Sequence, residues 1–155
     1  VQDGSYWNLK TDGTWYHFVV TYDDRSDTSS NAERKIYVNG VLRHTNDFNW
    51  NSTGGGTGGM IFGARRTASN NYDNGWACGL DEVAIYDTAK DSNWVASVYN
   101  NETSYDHTGQ SGLVGYWKFN EGSGTTVTDH SGEGNHGTFA PISGDTTAFP
   151  TWGER

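Results

Sequence analysis

A chain of 155 residues with a formal charge of −9 suits one domain, and 10 Lys and Arg against 19 Asp and Glu disfavour binding to a phosphate backbone. Leu, Ile, Val and Phe number only 24, which at this charge borders on a disordered composition, but 7 Trp and 9 Tyr can each bury roughly 150–250 Å² and supply an aromatic core. No apolar run approaches the roughly 20 residues of a membrane span, so no bilayer insertion is expected, and the lone Cys78 makes neither an intrachain disulfide nor a cysteine-based zinc site.

Residues 15–22, WYHFVVTY, are aromatic and β-branched and predict the first strand. After a polar loop, residues 35–38 and 41–44 predict a hairpin whose Asn39-Gly40 pair favours a type I′ turn. The NSTGGGTGG run at 51–59 offers no side chains for a core and reads as a loop. A short strand follows at 60–63, then the polar loop RRTASNNYDNGW. CGLDEVAIY at 78–86 alternates as a strand does, and Trp94, Val95, Val98 and Tyr99 fall at helical spacing, predicting one short helix near 91–99. Residues 100–112 read as a linker, 113–119 as a further strand, and the remainder as turns and an irregular tail. Val1 in place of Met suggests a processed or excised chain. Many short strands broken by turns point to an all-β sandwich or jelly roll.

Two stretches resemble the laminin-G-like, concanavalin A-like jelly-roll superfamily. WYHFVVTYDD, KIYVNGVLRHT, MIFGARR and GLDEVAIYDTAKDSNWVASVYN follow one another as in the family's C-terminal half, and LVGYWKFNEGSGTTVTDHSGEGNHGTF resembles the family's opening. The resemblance implies an antiparallel β-sandwich with one short helix, divided as a C-terminal-like half at 1–99, a linker at 100–112 and an N-terminal-like half at 113–155. The halves stand in inverted order. Three accounts fit: a window across two tandem domains, a circular permutation, or a subunit completed by strands from a neighbour, since unpaired edges are templates for another chain.

Jelly-roll glucanases of this fold carry an E-x-D-x-x-E strand, which is absent here, and adjacent Asp81 and Glu82 face opposite ways on a strand. A non-catalytic module is therefore expected. Asp129, Asn135 and the Gly-rich turn around them offer oxygen ligands of the kind Ca²⁺ takes, and the resembling domains often hold a structural calcium there. Asp81 is the distant carboxylate to pair with it, and Glu121 a further candidate; the alternative is that Asp129 and Asn135 simply cap the turn. His130 and His136 lack the spacing of zinc modules. His17 reads as a structural residue, His44 and His107 as solvated, and Cys78 as a small buried hydrophobe.

Carbohydrate binding is the function the resemblance implies. Trp50, Tyr72 and Trp76, beside Asn- and Asp-rich loops and with Arg65 and Arg66 nearby, could stack on a sugar and fork onto its hydroxyls, whereas Trp15, Trp94 and Trp117 read as core. Asn51 and Asn101 lie in N-glycosylation triplets. The reading is a non-catalytic adhesion or recognition module, carbohydrate-binding and calcium-stabilised, from a repetitive extracellular, cell-surface or virion-surface protein. Self-association or neighbouring repeats are expected partners. The alternatives are a structural subunit of a filament or coat built by strand or domain exchange, and an accessory domain of a polysaccharide-degrading enzyme.

Overall fold

The computed structural model describes residues 12–23, 32–48, 59–66, 72–73, 78–99, 105–141 and 150–153, with the side chains of 47, 48, 65, 66, 72 and 73 excepted. Its elements run β1 (Phe18–Asp23), β2 (Ala32–Val38), β3 (Val41–Phe48), β4 (Arg65–Arg66), β5 (Tyr72–Asp73), β6 (Val83–Tyr86), α1 (Ser92–Val98), β7 (Leu113–Trp117), β8 (Thr126–Val127) and β9 (Gly137–Thr138). Among the described residues all strand pairs are antiparallel and one short helix interrupts them, the all-β architecture expected. Two compact units result, one of Val1–Gly54 with Thr88–Tyr105, the other of Gly55–Asp87 with Asp106–Arg155.

The first unit is built on the sheet β1-β2-β3. Asn39 and Gly40 both take positive φ (51° and 73°), as the type I′ turn between β2 and β3 requires. Asn39 also closes the start of β1: its side-chain oxygen accepts from the His17 N–H at 2.9 Å, and its own N–H donates to the His17 carbonyl at 2.8 Å. Tyr99 lies beside this corner, stacked on His17 with ring centroids 5.7 Å apart. The helix starts where its cap dictates, with the Asp91 carboxylate accepting from the Trp94 N–H at 2.8 Å. Val95 and Val98 are buried, together with Ala32, Tyr37 and Val38 of the sheet. Trp15 departs from its expected place in the core: it is 58% exposed and lies before the ladder begins.

The second unit centres on the β6–β7 ladder, which sets Val83 opposite Trp117 and Ala84 opposite Tyr116. An isolated bridge then joins Trp117 to Asp129, so the turn-rich segment continues the sheet. Gly115 is required by its neighbour two residues on, since a Cβ there would come within 2.4 Å of the Trp117 indole. Residues 105–112, within the stretch expected to link the halves, form successive turns. Gln110 and Leu113 bond back at 3.1 and 3.3 Å, and the Asp87 N–H donates to the Gly112 carbonyl at 2.9 Å. In the tail, Trp152 packs on Phe139 at 4.9 Å and donates to the Gly124 carbonyl at 2.9 Å. Cys78 is exposed, not buried, because it precedes β6 and lies outside the ladder.

Gly40→Ala is expected to lower stability by about 2 kcal/mol, because an L-residue is strained at that φ and the new methyl would sit 3.1 Å from the Tyr99 ring. Urea denaturation of the two proteins measures the difference.

Candidate functional site

The densest polar arrangement among the described residues surrounds Asp129, which is 7% exposed. One carboxylate oxygen accepts from the N–H groups of Tyr116 and Ser131, both at 2.9 Å. The other accepts from the Ser131 hydroxyl and the Asn135 N–H, both at 2.8 Å. Burial by itself raises the carboxyl pKa, but the N–H groups of Ser131, Tyr116 and Asn135 and the Ser131 hydroxyl outweigh it and bring the group down to about 2. The Asp129 N–H donates to His136 Nδ1 at 3.1 Å, which makes that nitrogen the acceptor and places the proton of a neutral ring on Nε2. Asn135 extends the network by donating to the Val114 carbonyl and accepting from the Trp117 indole, at 2.8 and 2.9 Å.

A second cluster lies along the same ladder. Glu82 takes φ +51°, unusual for a residue with a side chain, and its carboxylate accepts from the Tyr116 hydroxyl. Burial first, and then this carboxylate, keep the Tyr116 hydroxyl protonated well above the ordinary tyrosine range. His107, expected to be solvated, is only 8% exposed: its Nδ1 is 2.8 Å from the Tyr86 hydroxyl, and its ring meets Tyr116 edge-on at 5.1 Å. The residue that fixes His107 is 21 positions away, so local composition carries no sign of the burial.

The metal candidates Asp81, Glu121, Asp129 and Asn135 all belong to this second unit. Calcium takes six to eight oxygens. Four protein donors already meet the four lone-pair directions of Asp129, and the Asn135 main-chain carbonyl is engaged by Trp117. Glu121 gives one oxygen to the Thr128 N–H at 2.6 Å, and its other oxygen is buried without a hydrogen-bond partner. Among the described residues no group of three or more His, Cys, Asp or Glu could hold a metal. As folded, the Asp129 carboxylate and the Asn135 main-chain carbonyl are thus taken up by protein donors, whereas one Glu121 oxygen stays unpartnered.

Of the sugar-contact candidates, Trp50 and Trp76 lie outside the described residues, as do the triplets at Asn51 and Asn101. Arg65 and Tyr72 are described in their backbone, where the β4–β5 pair sets Arg65 opposite Asp73 and Arg66 opposite Tyr72. The register thus makes Arg66 the cross-strand neighbour of Tyr72, a juxtaposition that the spacing of the two residues did not single out.

Asp129→Asn should cost about 2 kcal/mol at neutral pH, the worth of a carboxyl lowered from 3.8 to about 2. Because the folded carboxyl is the stronger acid, its stabilisation is complete above pH about 4 and lost as pH falls toward about 2. Acid titration of the melting temperature should therefore fall more steeply over that window in the native chain than in the variant. Calcium or a chelator should leave the melting temperature of the native chain unchanged; a calcium-dependent rise would contradict the fit described above.

Among the described residues no helix is long and apolar enough to cross a membrane. No curated protein and no solved structure matches the chain. A family model described as the concanavalin A-like lectin/glucanases superfamily, of laminin G type, matches residues 5–96, which include the β1-β2-β3 sheet, the β4–β5 pair, β6 and most of α1. With more than half of its length matched and its strands antiparallel throughout, the chain belongs to the concanavalin A-like lectin/glucanases superfamily.

Proposed function

We propose that this chain is a non-catalytic recognition and adhesion module, displayed outside the cell or on a surface, whose ligand is a carbohydrate. The observation that carries the reading is the family match, which spans Trp50, Arg65, Tyr72 and Trp76. Sugars present apolar C–H faces that stack on aromatic rings, and hydroxyls that accept from the fixed fork of a guanidinium. The β4–β5 pairing supports this chemistry by bringing Arg66 beside Tyr72 and Arg65 beside Asp73 on one short ladder. Support for a binding role without catalysis comes from the carboxylates: Glu82 is engaged by Tyr116, and Asp129 by four donors. Calcium has no part in this reading.

A glycan array probed with the full chain should show saturable binding to one class of sugar. Trp50→Ala and Trp76→Ala should each weaken it at least about tenfold, near 1.4 kcal/mol, with melting temperatures unchanged. Absence of binding across the array, or binding that survives both substitutions, would overturn the carbohydrate reading.

A further inference from the structure

His17 stands just before β1, at the corner of the first unit where the β2–β3 turn and the end of α1 meet. Asn39 of the turn holds its main chain on both sides, accepting from the His17 N–H and donating to the His17 carbonyl. The imidazole lies on Tyr99, the residue that closes α1, with centroids 5.7 Å apart and planes 26° from parallel. Tyr99 in turn leans on Gly40, where a Cβ would come within 3.1 Å of its ring. The two rings therefore tie the chain leaving α1 to the hairpin corner.

The tie suits only a neutral imidazole. His17 Nδ1 is buried and has no hydrogen-bond partner. A neutral ring tolerates this by carrying its proton on Nε2, so that Nδ1 presents only a lone pair. An imidazolium carries N–H on both nitrogens, and its Nδ1–H would be a charged donor without an acceptor, which is costly away from water. The ionisable groups around the ring do not relieve that cost. On β2 the register places Tyr37, Lys35 and Glu33 on the same face, and the last two are paired at 2.6 Å. Glu33 and, on β1, Asp23 lie six positions from Asn39 and His17, roughly 20 Å along a strand and about two Debye lengths away. In α1, Ser92–Val98 has no ionisable side chain, and Lys90 and Asp91 stand at the end away from Tyr99.

We propose that the His17–Tyr99 contact is an acid-sensitive latch: when the imidazole takes up a proton, the two rings part and the end of α1 comes free of the β2–β3 turn. The direction follows from linkage. Burial lowers the His17 pKa in the folded chain below its ordinary 6.5, so the opened chain binds the proton more tightly. The latch is complete above pH about 6.5 and weakens as pH falls below it. The Asp129 transition is separate, lying between pH about 4 and about 2 and in the other unit. The inference does not rest on the carbohydrate reading.

An NMR titration of the full chain from pH about 8 to about 5 tests the latch. The His17 Cε1–H should move with a midpoint below 6.5, and the Tyr99 ring resonances should move with the same midpoint. His17→Phe keeps a ring on Tyr99 and removes the proton site, and His17→Gln removes both. In each variant the Tyr99 resonances should stay fixed over this range. Each should also lose about 3 °C less melting temperature than the native chain between pH about 7.5 and about 5.5. A His17 midpoint at or above 6.5, as attraction of the cation to the Tyr99 face would give, overturns the proposal. So would Tyr99 resonances that stay fixed while His17 titrates, or a Tyr99 shift that persists in both variants.

Discussion

The second unit depends on one buried carboxylate. Asp129 binds donors from three places in the chain: Tyr116 on β7, Ser131 just beyond it, and Asn135 across the turn. Those three backbone N–H groups would otherwise need partners in a segment with few regular ladder bonds, and unpaired buried donors cost about 1–3 kcal/mol each. Satisfying them in one place allows a Gly-rich turn with almost no apolar side chains to hold a single shape. It also carries the sheet outward through the Trp117–Asp129 bridge, so that the indole of Trp117 can reach the Asn135 carbonyl.

The same ladder joins stretches that resemble opposite ends of the family's domain. β6 comes from the DEVAIY segment and β7 from the LVGYW segment, and they pair within one chain. The short β6 gains further anchorage from Tyr116 and Tyr86. The Tyr116 hydroxyl binds Glu82 at the head of the strand, and the Tyr86 hydroxyl meets His107 at its foot. A positive φ at Glu82 costs something on the order of 1 kcal/mol or more. The charge-assisted bond to a buried hydroxyl offsets that cost. Polar side chains thus do for this unit what a larger aliphatic core does in a chain richer in Leu and Ile.

The first unit works differently. Its sheet is tied at the Asn39 corner, α1 buries Val95 and Val98, and β1 leaves Phe18, Val20 and Tyr22 about half exposed.

Local chemistry was readable from the residues. Asn39-Gly40 specified the hairpin turn because both positions tolerate positive φ, and the spacing of Trp94, Val95, Val98 and Tyr99 marked the short helix. The superfamily was legible too, in the order of short strand motifs. The partners of Asp129 were not: a calcium ligand and a turn cap draw on the same residues, and the Tyr116 N–H that the carboxylate accepts from lies 13 positions away on β7. The exposure of Trp15 and the burial of His107 were hidden for the same reason, since burial depends on which strands meet and not on side-chain type. By itself the sequence determined the hairpin turn, the short helix and the family; tertiary structure alone decided which polar groups found protein partners, because those partners lie up to 34 residues apart along the chain.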